Sequence, residues 1–127
     1  MAKGGPRIMV VEDEEFVRCL LQDFLELNGM EVISASRGDE AVELFSRLKG
    51  EVDLVILDLV LPGMMGEEIF MALKELDPQV KVLVATGLGE TPSLERLRRE
   101  GVLGVVTKPF DFARLLETIR SVLHDQA

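Results

Sequence analysis

The sequence predicts a parallel α/β fold, a five-stranded sheet with helices on both faces. Three observations carry that prediction. Short β-rich apolar runs alternate five times with segments whose apolar residues recur at helical spacing, and such alternation builds parallel βαβ units. The third and fourth runs are nearly unbroken in their hydrophobicity, as strands covered on both faces must be. The chain has 127 residues, 47 % of them hydrophobic, which suits one domain around one buried sheet.

The first strand is Arg7–Val11 (R-I-M-V-V). A helix follows over Glu14–Gly29, with Phe16, Leu20, Phe24 and Leu27 at helical spacing and Gly29 as its C-terminal stop. Glu31–Ala35 is the second strand; it is the least apolar, which predicts a place at the sheet edge. Ala41, Leu44, Phe45 and Leu48 line one face of a helix over Asp39–Leu48. The third strand is Val52–Leu57. Pro62, Gly63 and Gly66 then break the chain before a helix carrying Ile69, Leu73 and Leu76. Val80–Ala85 is the fourth strand, Gly87 and Gly89 open a loop, and Ser93–Glu100 is a short helix. Val102–Val106 is the fifth strand. Phe112, Leu115, Leu116, Ile119, Val122 and Leu123 form a final helical stripe. The domain is expected over residues 7 to 124, after a flexible N-terminal segment (1 to 6) and before a short tail (125 to 127). There is no internal repeat, low-complexity segment or interdomain linker.

Charge and composition narrow the function. The net charge is −9, from 23 acidic and 14 basic side chains, so nucleic acid is not an expected partner, while divalent cations and basic surfaces are attracted. Cys19 is the only cysteine, which allows no internal disulfide and fits a reducing compartment. No apolar run approaches the roughly 20 residues that span a bilayer, and Met1 to Pro6 lacks the apolar stretch of a signal peptide. The expected location is the cytoplasm.

In open parallel sheets, ligands bind beyond the carboxyl ends of the strands, near a switch in strand order. The first strand delivers Glu12 and Asp13 there, the third Asp58, the fourth Thr86 and the fifth Lys108; the second delivers only Ser36 and Arg37. Clustered carboxylates raise each other's cost of ionisation, and a cation relieves it. An all-oxygen, carboxylate-rich donor set suits Mg²⁺. Lys108 adds a fixed positive charge, Thr86 a hydroxyl donor, and Gly87 leaves room beside it. Together these make a phosphoryl-transfer site in which an aspartate can be the nucleophile and form an acyl phosphate.

Each residue also has a plainer reading. Asp13 fits a helix N-cap, and Glu12, Glu14 and Glu15 favour the adjoining helix dipole. Asp58 fits a turn before Pro62-Gly63, Thr86 an ordinary loop, and Lys108 a solvated side chain. Independent plain readings must still place all five at the same end of the sheet, and that coincidence favours the joint reading. Gly87-Leu88-Gly89 lacks the third glycine of a dinucleotide motif. His124, beyond the last apolar turn, reads as a surface residue and not a phosphoacceptor.

Four stretches resemble the receiver domain of bacterial response regulators in two-component signalling: Val10-Val11-Glu12-Asp13-Glu14, Leu57-Asp58-Leu59-Val60-Leu61-Pro62-Gly63, Val84-Ala85-Thr86-Gly87 and Thr107-Lys108-Pro109-Phe110. Four such motifs in order are highly specific, and the resemblance covers about residues 7 to 124. It implies a doubly wound (βα)₅, flavodoxin-like fold with strand order 2-1-3-4-5. It implies that Asp58 accepts a phosphoryl group from a histidine of a sensor kinase or phosphotransfer protein. Asp13, Asp58 and the backbone carbonyl of Val60 would bind Mg²⁺, with Glu12 acting through water; Lys108 would pair with the phosphoryl group and Thr86 would move to hydrogen-bond it. The Lys108–Pro109 peptide would be cis, tolerable because proline narrows the cis–trans gap. Such a chain is a switch and not an enzyme with a separate substrate, catalysing only its own phosphorylation and dephosphorylation. Its output surface would be the fourth helix, fifth strand and fifth helix, a surface that also offers a route to a homodimer. The Thr86-Gly87 loop and the Leu-Pro-Gly turn look similar to receivers of hybrid histidine kinases.

The sequence departs from the family in two places. Val105 stands where many members carry a rotating aromatic residue, and Met65 stands where an acidic residue is common before Gly66. Val60 and Leu88 flank the expected phosphoryl site and are apolar, which would hinder attacking water. Arg96, Arg98 and Arg99 make the fourth helix locally basic, suiting an acidic partner, a dimer or a plain solvated face. Other readings fit less well. A haloacid-dehalogenase-type phosphatase needs a second acid two residues after the nucleophile, where Val60 stands. A flavin carrier of the flavodoxin type needs a hydroxyl-rich phosphate loop where Glu12 to Glu15 stand. A partner-binding pseudo-receiver usually lacks the Asp or the Lys, and both are here.

Overall fold

A computed structural model describes residues 5–61, 63–87 and 89–124. The expected Leu88 contribution, the Pro62 break, most of the N-terminal segment and the 125–127 tail lie outside the described residues. Five β/α pairs follow one another: β1 (Arg7–Val11), α1 (Glu15–Leu27), β2 (Glu31–Ala35), α2 (Gly38–Arg47), β3 (Leu54–Asp58), α3 (Gly66–Leu76), β4 (Val82–Thr86), α4 (Pro92–Glu100), β5 (Gly104–Thr107) and α5 (Phe112–His124). The strands are all parallel, in the order β2-β1-β3-β4-β5. The fold is therefore the doubly wound α/β sheet that the sequence predicts.

Alternate strand residues divide the core in two, because successive side chains in a strand point to opposite faces. Met9, Val11, Val55, Leu57, Val82 and Val84 meet Phe45 of α2, Ile69, Phe70 and Leu73 of α3, and Leu94 and Leu97 of α4. Ile8, Val10, Leu54, Ile56, Leu83 and Val106 meet Leu21 and Leu25 of α1 and Leu115, Ile119 and Val122 of α5. Each residue of β3 and β4 is buried, while β2 is half-buried along most of its length, as its edge position requires. Gly66 opens α3 so close to β3 that a Cβ there would lie 2.7 Å from Leu59 Cδ1. No helix among the described residues is long and apolar enough to cross a membrane.

Two expectations are corrected. The stripe Phe16, Leu20, Phe24 and Leu27 is not the core face of α1. Phe16 is 75 % exposed and Leu27 86 % exposed, whereas Leu21 and Leu25 are buried. Phe24 lies at the margin, its ring 4.8 Å from that of Phe112. The helix is apolar on two opposite sides, and a 3.6-residue period alone does not say which side packs. The last three strands also begin and end one or two residues later than their apolar runs suggest. That shift takes Asp58, Thr86 and Thr107 into the last ladder positions of β3, β4 and β5.

Candidate functional site

Register assembles the site. Val11 pairs with Leu57, Asp58 with Ala85, and Thr86 with Thr107. The next residues continue the ladder: Glu12 donates its N–H to Ala35 O at 3.0 Å, Leu59 to Ala85 O at 2.9 Å and Lys108 to Thr86 O at 2.9 Å. Glu12, Asp13, Asp58, Thr86 and Lys108 therefore all leave the carboxyl edge of the three central strands and β5. The chain reverses direction of winding at this edge, between β1 and β3, where open sheets form their ligand crevice. The Lys108–Pro109 peptide is cis.

Glu12, Asp13 and Asp58 each present a carboxylate oxygen within 4.8 Å of the other two. Glu12 is 3 % exposed and Asp58 5 % exposed, while Asp13 faces solvent. Lys108 joins them from β5. Its Nζ lies 2.8 Å from Glu12 Oε1 and 3.1 Å from Asp58 Oδ2. The remaining oxygens are held by backbone: Glu12 Oε2 accepts from the Glu14 N–H at 3.0 Å, and Asp58 Oδ1 from the Val60 N–H at 3.1 Å. Burial raises the Glu12 carboxyl above the usual glutamate value; the Lys108 and Glu14 hydrogen bonds oppose this, and the charge of Asp58 adds to it. Burial alone would lower the Lys108 ammonium, but its hydrogen bonds to Glu12 and Asp58 outweigh that and raise it. One ammonium facing three carboxylates leaves the cluster net negative. A small hard cation that prefers oxygen fits this donor set, and Mg²⁺ is such a cation.

Every described residue expected at the site from the sequence is placed at this edge. Thr86 is buried at the end of β4. Val60, next to the loop after β3, is 58 % exposed. Val105 is half-buried and packs towards the α2–α4 side; with Thr107, Phe110 and Arg114 it lines a cavity of about 410 Å³ between β5 and α5. His124 is exposed at the far end of α5. The basic face of α4 is less basic than its composition suggests, since Arg96 pairs with Glu67 of α3 at 2.6 Å and Arg98 with Glu90 at 2.8 Å. Sequence reasoning missed Arg18 of α1, whose Nη1 donates to the Glu12 carbonyl at 2.9 Å. The signal available was a lone cation one and a half helical turns after the acidic turn.

Comparison with known proteins gives the same answer as the geometry. Residues 8–120 match the model of the response regulator receiver domain. The chain is 31 % identical over 119 residues to chemotaxis protein CheY of Thermotoga maritima, covering 93 % of this chain and 98 % of that protein. It is 32 % identical over 123 residues to the sensor kinase CckA of Brucella abortus, where it spans 97 % of this chain but only 13 % of the kinase. A solved response regulator receiver domain protein from Clostridium thermocellum superposes with a TM-score of 0.91 at 26 % identity, covering 96 % of this chain and 97 % of that one. An acidic triad and a lysine converging on the edge of a 2-1-3-4-5 sheet, and a family match over nearly all of the described chain, have one reading in common: this chain belongs to the receiver domains of two-component response regulators.

Proposed function

We propose that the chain is a phosphoacceptor switch, with Asp58 as the acceptor. The observation that carries this is the setting of Asp58: a recessed carboxylate at the end of a central strand, held by the Val60 N–H on one oxygen and the Lys108 ammonium on the other. A carboxylate so held is aimed and charge-compensated before any substrate arrives. Its donor would be a phosphohistidine of a sensor kinase or phosphotransfer protein. An Asp58 oxygen attacks phosphorus, the P–N bond breaks as the P–O bond forms, and the imidazole nitrogen keeps the electron pair and takes a proton from solvent.

Asp13, Asp58 and the Val60 carbonyl, with Glu12 through water, would hold a Mg²⁺ ion, which supplies charge neutralisation at the phosphoryl oxygens. Lys108 stays within reach of the same oxygens as a second cation. Thr86, buried one strand away, turns its hydroxyl towards the new group, and the α4-β5-α5 surface changes its affinity for a partner or a second copy of the chain. The exposed Val60 side chain shields the acyl phosphate from water.

The test is incubation with acetyl phosphate and Mg²⁺, read by intact mass. One added phosphoryl group is expected, absent in Asp58→Ala and absent with chelator. A wild-type protein that gains no phosphoryl group, or an Asp58→Ala variant that gains one, overturns the reading.

A further inference from the structure

We infer that Arg18 is a positioning residue of the acidic pocket, holding the turn that aims Asp13 at the divalent cation; this rests on the proposed metal-dependent function. Asp13 needs such help. It is exposed, and among the described residues its carboxylate accepts no hydrogen bond and makes no ion pair. Its place within 4.8 Å of the Glu12 and Asp58 oxygens is therefore dictated by the backbone of the β1–α1 turn. Inside that turn the Glu14 N–H donates to Glu12 Oε2 at 3.0 Å, and the backbone has few other ties. β1 ends its ladder with β2 at Val11–Ala35, Glu12 spends its N–H on Ala35 O, and the α1 N-cap, Glu14, makes no side-chain capping bond.

Arg18 supplies the missing tie. From the first turns of α1 it reaches back over the turn, donating from Nη1 to Glu12 O at 2.9 Å and to Asp13 O at 3.5 Å. Glu14 and Glu15 lie close in sequence, yet among the described residues Arg18 forms no ion pair. A half-buried guanidinium spent on carbonyls beside a cluster of carboxylates acts on geometry more than on charge.

The two roles predict opposite signs, which makes the inference testable. If Arg18 mattered only as a nearby positive charge, removing it would tighten cation binding. If it aims Asp13, removing it weakens binding, and loss of a residue that orients a ligand costs on the order of tenfold or more in metal affinity. Both hydrogen bonds leave from a single nitrogen, so the planar fork of arginine is dispensable here and lysine can substitute.

The experiment is a Mg²⁺ titration of the whole chain by calorimetry, for wild type, Arg18→Met and Arg18→Lys, beside metal-free thermal unfolding of each. Arg18→Met is expected to bind Mg²⁺ about tenfold more weakly, with Arg18→Lys recovering most of that loss. Equal or tighter binding by Arg18→Met overturns the inference, as does a lysine variant no better than methionine. Should Arg18→Met not fold, wild-type-like binding by Arg18→Lys together with about tenfold weaker binding by Arg18→Gln carries the same test. If wild type binds no Mg²⁺, the proposed function fails first and this inference with it; if wild type binds and Arg18→Met binds alike, only this inference fails.

Discussion

Replacing Lys108 by methionine removes the one ammonium that, among the described residues, compensates two nearly buried carboxylates. Methionine keeps the aliphatic stem, so packing is largely preserved. The structure gives the ammonium two ion pairs, at 2.8 Å to Glu12 and 3.1 Å to Asp58. Deleting one member of a fully buried pair costs about 3–5 kcal/mol because the other charge is stranded. The Lys108 side chain is 22 % exposed, so water offsets part of that, and a loss of about 2–3 kcal/mol is expected in chelator. The sign with pH follows from the raised ammonium. A cation whose folded-state value lies above its unfolded value contributes fully below the unfolded value and loses that contribution as pH rises through the folded one. At neutral pH the whole effect is present, and the gap to wild type closes on the alkaline side as Lys108 gives up its proton and on the acid side as the Glu12 carboxyl, raised by burial, takes one up. Mg²⁺ closes it differently, by supplying the missing charge; saturation at 100 times Kd adds about 2.7 kcal/mol to a folded state, and more for the tighter-binding variant. Urea unfolding at neutral pH, with chelator and then with Mg²⁺, measures all of this. A Lys108→Met protein as stable as wild type in chelator, or a deficit untouched by Mg²⁺, would refute the view of Lys108 as the resident counter-ion.

Two further outcomes are expected. Leu21→Ala should destabilise the fold by about 2–5 kcal/mol, since Leu21 is 1 % exposed, whereas Phe16→Ala on the opposite side of α1 should change it by about 0.5 kcal/mol or less; chemical denaturation of the pair checks which face packs. Val60→Asn should speed loss of the phosphoryl group several-fold by admitting and orienting water, measured as the decay of the phosphorylated mass after rapid desalting, and an unchanged decay would remove Val60 from the account.

The meeting of the candidate residues at one sheet edge was legible in the sequence because they end strands. A strand that is apolar on both faces and stops at a polar residue announces both the sheet and its functional edge, and β3 with Asp58 and β4 with Thr86 read that way. What the sequence hid were choices settled only by tertiary contact. Val52, Val80 and Val102 have strand-forming side chains but precede the ladders, since pairing depends on where a neighbour begins and not on propensity. α1 offers Phe16, Leu20 and Leu27 on one side and Leu21 and Leu25 on the other, and the choice belongs to β1, β3 and α5. The arginines of α4 read as a basic patch until Glu67, 29 residues from Arg96, folds beside it. Arg18 showed in the sequence only as a lone cation after an acidic turn, because its partners are carbonyl oxygens, which every residue has.

In the proposed function Lys108 would let this edge switch and not merely bind. Its Nζ is shared between Glu12 and Asp58, two partners of equal charge. In the proposed reaction one of them becomes an acyl phosphate with about two negative charges and three strong acceptor oxygens. The balance would then tip: the ammonium would gain by turning to the phosphoryl group, and Glu12 would remain among the residues that would hold a Mg²⁺ ion. Lys108 is bonded through its own N–H to Thr86 O, and it is followed directly by Pro109, Phe110 and the start of α5, where Phe110 and Phe112 stack towards Phe24 of α1. A displacement of this one side chain is thus felt on β4 through its backbone and on the α1–α5 seam through the residues that follow. In the proposed switch no rotating aromatic at Val105 would be needed, because the lysine that would meet the phosphoryl group is itself tied to β4 through its N–H and leads directly into α5.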